Sequence, residues 1–204
     1  MNPFREKTPS RRLDRDECEH YSSYKDTLQE DFNKRCGYCD DSDGFRIRNY
    51  TIDHFVPRNP KDFTHDIKPN YYYNLVYACW YCNSNKSNKW ITKDPNIHNN
   101  GEIGFVEPTS EDYTNLFKRD KEGQIICNGV NSNLAHFIII ELNLWHPVHS
   151  ITWRLEKFDK IQKTLSEQIE KSKGAILETE LESIRSGIND ILVGLFQSLF
   201  NENE

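Results

Sequence analysis

Two CxxC pairs, Cys36-Gly37-Tyr38-Cys39 and Cys79-Trp80-Tyr81-Cys82, constrain this chain more than any other feature, because they must come together across the 39 residues that separate them. The N-terminus MNPFREKTPSRR lacks the apolar core of an export signal. No apolar run approaches the roughly 20 residues that a membrane span needs. The expected location is therefore cytoplasmic, where reducing conditions disfavour disulfides and paired knuckles hold zinc as four thiolates in a tetrahedron. A closed thiolate set leaves no open coordination position, so Cys36, Cys39, Cys79 and Cys82 are expected to bind a structural zinc ion. Cys18 and Cys127 fall outside the pattern and are read as small buried hydrophobes.

The spacing between the knuckles exceeds that of a simple zinc ribbon, so something is inserted there. Residues 45–52, FRIRNYTI, alternate in part as a half-buried strand does, and this strand ends at Asp53-His54. The stretch FVPRNPKDFTHDIKPN holds three prolines in sixteen residues and reads as a long loop, a class that is often functional. Residues 73–77 read as a second strand, and Asn83 to Trp90 as a helix. Upstream, residues 1–21 form an irregular arm, followed by a helix capped by Ser22 or Ser23 and running through Lys34, with Tyr24, Leu28 and Phe32 on one face.

After Asp94 the texture changes. Short strands are expected at EIGFVEP, around Tyr113 to Phe117 and at GQIIC, then a helix over 131–143 capped by Asn131 or Ser132. From Ile151 the pattern is helical, with Gly174 dividing two helices. Leu177, Leu181, Ile184, Ile188, Ile191 and Leu195 step by alternating threes and fours, which fits either an intramolecular hairpin or a homodimer or partner surface. The predicted fold is α+β, divided as arm and helix (1–35), knuckled core (36–93) and a mixed, then mainly helical, C-terminal region (94–204).

A formal net charge of −6 argues at first against a nucleic-acid partner. The first 100 residues, however, carry 16 Lys+Arg against 15 Asp+Glu, so the acidity is C-terminal. Local basic clusters (Arg5, Lys7, Arg11, Arg12; Lys34, Arg35; Lys86, Lys89, Lys93) are compatible with phosphate contact and equally with a solvated face.

The order CGYC, IDHFVP and YNLVYACWYCNSNK resembles the HNH endonucleases over roughly residues 36–90. The resemblance implies a ββα-metal core of two strands and a helix around one divalent ion, clamped in the most similar subgroup by zinc on two CxxC knuckles. It assigns Asp53 and Asn83 to the divalent ion, His54 as general base, and Asn74 as the residue that holds the loop carrying His54. The residue chemistry agrees. An imidazole titrates near neutrality and can accept a proton from water, while carboxylate and amide oxygens are hard ligands for Mg²⁺ or Mn²⁺. Many relatives carry His in place of Asn83, and the amide favours Mg²⁺ or Mn²⁺ over a transition metal. Lys86, one turn after Asn83, would lie on the metal-facing side of the helix and could touch phosphate.

The implied activity is metal-dependent hydrolysis of phosphodiester bonds, in DNA rather than RNA, leaving 3′-hydroxyl and 5′-phosphate ends. The region after residue 100 loosely resembles C-terminal extensions of HNH proteins in bacterial defence systems, through Leu142-Asn143-Leu144 and Arg154, which implies a partner such as an ATPase. Two alternatives stay open: a zinc-ribbon binding module without chemistry, and a nuclease kept inactive by its C-terminal helices. His65 in the proline-rich loop and His20, His98, His136, His146 and His149 are read as structural. Trp80, Tyr81 and Tyr71 to Tyr73 are expected to cover the zinc and the core, with stacking on bases as the other possibility.

Overall fold

A computed structural model describes residues 2–45, 48–172 and 176–201. The chain opens on a two-residue strand, β1 (Asn2–Pro3), and its arm reaches helix α1 (Lys25–Asp31) through a single 3-10 turn at Tyr21–Tyr24. Tyr24, Leu28 and Phe32 are buried, as their spacing requires of one helix face. The boundaries differ from expectation. No side-chain bond caps the turn, and the helix stops short of Lys34 because Asn33 and Lys34 take left-handed φ of 55° and 58°.

The centre is an antiparallel pair, β2 (Thr51–His54) and β3 (Leu75–Ala78), in register from Thr51↔Ala78 to His54↔Leu75. Only the end of the expected strand over 45–52 is extended, since Asp43–Phe45 is a 3-10 turn, while Arg46 and Ile47 lie outside the described residues. The second strand starts later than expected because Tyr72–Asn74 is a 3-10 turn. Helix α2 (Trp80–Lys86) begins three residues before Asn83. The knuckle is itself the helix cap: Cys79 Sγ accepts from the Cys82 N–H at 3.5 Å. Ser87, at φ 48°, ends the helix well before Trp90.

Helix α3 (Glu111–Leu116) replaces the strand expected around Tyr113, because Ser110 Oγ accepts from the Tyr113 N–H at 3.2 Å and starts a helix. Strands β4 (Phe117–Arg119) and β5 (Ile125–Cys127) follow as a hairpin, and β1 pairs with β4 to complete a three-stranded sheet. EIGFVEP forms no strand, only an isolated bridge between Asn99 and Gly104. Helix α4 (Ser132–Glu141) follows Asn131, which holds the cap position without a side-chain bond. Helix α5 (Pro147–Lys171) starts four residues before Ile151, with Pro147 in its first turn and His146 Nδ1 accepting from the Val148 N–H at 3.2 Å.

Helix α6 (Ile176–Asn201) packs on α5 as the most extensive pairing of elements in the fold. Gly174, expected to divide them, lies outside the described residues. The leucine and isoleucine seam splits: Leu195 is buried, while Leu177, Ile184 and Ile191 remain exposed.

One cluster of buried side chains runs from Phe4 in the arm to Leu199 in α6. The arm is bolted to this core. Arg5 is buried and donates to the carbonyls of Gly37 (2.8 Å) and Pro108 (3.0 Å), and Arg11 donates to the Leu75 carbonyl at 2.8 Å. Much of the N-terminal basic charge is thus spent inside the fold. Gly37 sits where a Cβ would lie 2.6 Å from Phe32 and 2.7 Å from Val76, so the first knuckle can approach β3 only as glycine. Cys18 and Cys127 are half-buried, not buried as expected. Among the described residues no helix is long and apolar enough to cross a membrane.

Candidate functional site

The four knuckle cysteines meet. Their sulfurs all lie within 4.8 Å of one another, at most 1% exposed. A tetrahedron with Zn–S bonds of about 2.3 Å has S···S edges of about 3.8 Å, and the Cys39–Cys79 pair stands at 3.7 Å. The site therefore fits zinc. Burial pushes the Cys36 and Cys82 thiols well up, so a bound ion displaces their protons and affinity falls in acid. Beyond the sulfurs lies a buried polar layer. His149 Nδ1 is 2.7 Å from Asp41 Oδ2, and Arg119 donates to the Cys39 carbonyl at 2.7 Å and to Asp41 Oδ1 at 3.2 Å. Cys39, Asp41 and His149 also cluster closely enough to ligate an ion, but Cys39 already belongs to the thiolate set, which makes the other two its outer support.

The second centre is built on the end of β2. Because successive strand residues face opposite ways, Thr51 and Asp53 share one face and His54 takes the other. Helix α2 lies on the Thr51 and Asp53 face. Asn83 Nδ2 donates to Thr51 Oγ1 at 2.7 Å, and one turn later Lys86 Nζ lies 3.1 Å from Asp53 Oδ2 and donates to the His54 carbonyl at 2.9 Å. The first knuckle joins in, since Tyr38 donates to Asp53 Oδ2 at 2.5 Å. Burial, then the adjacent carboxylate, push the Tyr38 phenol well up and keep it a donor.

Lys86 departs from its expected role. Its side chain is 0% exposed, and its ammonium is engaged by Asp53 and the His54 carbonyl instead of facing incoming phosphate. It compensates a buried carboxylate and fixes the strand end.

His54 Nε2 faces the Pro69 carbonyl at 2.8 Å, an oxygen that can only accept. The neutral ring thus carries its proton on Nε2 and presents the Nδ1 lone pair. Burial depresses the His54 pKa below 6.5, with Arg58 and Lys86 adding to the shift, while the Pro69 bond and Asp53 oppose it. The ring also stands edge-on to Tyr21, with centroids 4.9 Å apart. Asn74 acts on the residues that follow His54. Its Oδ1 accepts from the Val56 N–H at 2.8 Å and its Nδ2 donates to the Val56 carbonyl at 2.9 Å, while its own carbonyl accepts from the Phe55 N–H at 2.8 Å. The segment leaving His54 is clamped on both sides of its peptide unit.

The oxygens that remain are of a type suited to a hard divalent ion. Tyr38 and Lys86 occupy Asp53 Oδ2, and Asn83 Nδ2 is turned to Thr51, so one carboxylate and one amide oxygen remain as donors of the kind Mg²⁺ and Mn²⁺ accept. His65 is structural, bonded through Nε2 to the Pro57 carbonyl at 2.9 Å. Sequence reasoning missed Tyr38, which ties zinc clamp to carboxylate from inside a CxxC pair, and Tyr21 with Arg58, which lies 5.7 Å above its ring. A tyrosine within a knuckle was the one available signal for the first.

A pair of antiparallel strands and a short helix thus sit against a four-cysteine cluster and carry Asp53, His54 and Asn83. A family model described as HNH endonuclease matches residues 36–89, so this part of the chain is an HNH domain, of a family of nucleases, and its cysteine cluster fits the zinc-binding subgroup. No curated protein and no solved structure matches the chain.

Proposed function

We propose that the protein is a metal-dependent endonuclease that hydrolyses phosphodiester bonds in DNA. The observation that carries this reading is the orientation of His54: its Nε2 is committed to a backbone carbonyl, its Nδ1 is left as a base, and a buried carboxylate follows from the adjacent residue. In the reaction His54 Nδ1 accepts a proton from water as the water oxygen forms a bond to phosphorus. The bond from phosphorus to the 3′-oxygen breaks and the departing oxygen takes a proton from solvent, giving a 3′-hydroxyl and a 5′-phosphate. Asp53 and Asn83 would hold Mg²⁺ or Mn²⁺, whose chemistry is charge compensation on the phosphate. Asn74 positions His54 through the backbone, and Lys86 positions Asp53.

The reading extends to a cytoplasmic role in bacterial anti-phage defence or restriction beside a protein partner such as an ATPase. The exposed Leu177, Ile184 and Ile191 on α6 are where such a partner, or a second copy, would find apolar surface.

The test is incubation of the purified protein with plasmid DNA in Mg²⁺, Mn²⁺, Zn²⁺ or chelator, beside His54→Ala. Nicking or cutting in Mg²⁺ or Mn²⁺ is expected, and His54→Ala should lose about 10²–10⁴-fold in rate while keeping its zinc and its melting temperature. Cleavage that survives the substitution removes His54 from the mechanism. Binding without any cleavage favours the zinc-ribbon module.

A further inference from the structure

A pocket of about 830 Å³ opens between the N-terminal arm and residues 64–73, and none of the site residues above lines it. Its size is that of a small-molecule site. Its walls are aromatic and carry charge of both signs, Arg15 and Lys68 against Glu17 and Asp66. Tyr24 and Tyr72 are buried in them, with their hydroxyls bonded to the Cys18 N–H and to Asp31. Tyr71 and Tyr73, by contrast, are 51% and 38% exposed, with ring centroids 5.6 Å apart. These two do not cover the core, as the sequence had suggested.

Arg15 supplies the cation. Its guanidinium sits over the Tyr24 ring at 5.2 Å, and its Nη2 donates to Cys18 Sγ at 3.5 Å. Its Nε is buried without a hydrogen-bond partner, and among the described residues no carboxylate pairs with it. The nearby Glu17 is already engaged by Lys68 at 3.2 Å and by Asn70 at 3.3 Å. A cation without a carboxylate partner, in one pocket with two exposed aromatic rings, matches a ligand with an anion and a flat π-face together, which is a nucleotide.

The pocket also adjoins the nuclease site. Lys68 and Asn70 in its wall flank Pro69, whose carbonyl accepts the His54 Nε2 proton. A strand cut at His54 would therefore have the pocket on the Pro69 side of the histidine ring. A base inside a duplex is stacked and cannot reach these rings unless it is extruded.

We propose that this pocket binds an unpaired nucleotide of the strand being cut, its base on Tyr71 and Tyr73 and its phosphate on Arg15, so that the enzyme selects single-stranded or locally opened nucleic acid. The proposal rests on the nuclease reading for the position of the cut, but binding tests it separately. The probe is a labelled single-stranded oligodeoxynucleotide, compared with its duplex by fluorescence anisotropy at one salt concentration, on the full-length zinc-loaded His54→Ala protein so that the probe stays intact.

Tighter binding to the single strand is expected. It should weaken about tenfold on Tyr71→Ala and again on Tyr73→Ala, and Arg15→Gln should flatten its salt dependence. Tyr73→Phe keeps the ring and loses only the hydroxyl bond to the Leu13 carbonyl, so it should bind as the parent does. Tyr71 is exposed enough that its substitution leaves the fold intact. Unchanged affinity in Tyr71→Ala, or a preference for duplex that ignores both tyrosines, overturns the proposal. If the histidine-intact protein cuts neither probe while tyrosine-dependent binding persists, the nuclease reading fails and the pocket stands. If it cuts both probes alike and the tyrosine variants bind and cut as the parent does, the pocket fails alone.

Discussion

The four-cysteine clamp and the Asp53–His54 edge lie within one small domain, joined by Tyr38, yet they solve the problem of buried charge in opposite ways. At the clamp four sulfurs are closed off from water and none of the four ligands is a cation, so the cluster needs either its own protons or an external ion. At the edge a carboxylate is buried with the chain's own ammonium, Lys86, and with a phenol donor, so that its charge is compensated before any ion arrives. The clamp is closed and therefore structural. The edge keeps a half-buried histidine and a half-buried amide, as the proposed nuclease reading requires of a site that substrate must reach.

The contrast can be broken at the clamp first. Stripping zinc, or replacing Cys39 with Ser, removes binding energy on the order of 10 kcal/mol, comparable with the whole stability of a domain. Loss of the cooperative melt by circular dichroism, in step with zinc content, is expected. An unchanged melt after zinc removal would mean that the core stands without its clamp.

At the edge, Lys86→Met strands the Asp53 carboxylate and should cost about 3–5 kcal/mol in denaturant unfolding. Adding Asp53→Asn should recover much of that loss without restoring cleavage. Failure of the double variant to recover would show that Lys86 acts through the His54 carbonyl instead.

An effect of comparable size is expected from Asn74→Ala, which orphans a buried N–H and a buried C=O of Val56 at about 1–3 kcal/mol each. Zinc content should stay whole while cleavage falls, because the segment behind His54 is released. A variant that cuts at the parent's rate while melting lower would confine Asn74 to stability.

The mildest test is pH. The base works when neutral, and burial depresses the His54 pKa below 6.5, so kcat/KM should rise with pH through a midpoint below that value and then level off. Removing one of the cationic contributions with Arg58→Ala should move the midpoint upward. The folded state binds the His54 proton less readily than the unfolded chain, so this group also withdraws stability as pH falls through the same window. A midpoint above 6.5, unmoved by Arg58→Ala, would assign the titration to another group.

How much of this was legible depends on the range over which each cause acts. The Tyr24, Leu28 and Phe32 stripe, the β-strand ending on Asp53-His54 and the short strand at GQIIC follow from local pattern and were readable in place. Helix boundaries were not, because they were set by atoms that carry no periodic signal: a cysteine sulfur for α2, Ser110 for α3, and Pro147 with His146 for α5. The arm looked irregular and is irregular, but its arginines turned out to bond carbonyls of the core.

By itself the sequence determined the ligand chemistry: which sulfurs could share an ion, which oxygens are hard, and which imidazole could be a base. Only the tertiary structure decided that Lys86 faces inward, that Tyr38 joins the two centres, that Pro69 selects the tautomer of His54, and that Tyr71 and Tyr73 stand exposed in one pocket wall. The physical reason is that residue type and spacing fix what an atom can donate or accept. Whether it meets water, a carboxylate or a backbone carbonyl is fixed by segments tens of residues away, and a local pattern does not record them.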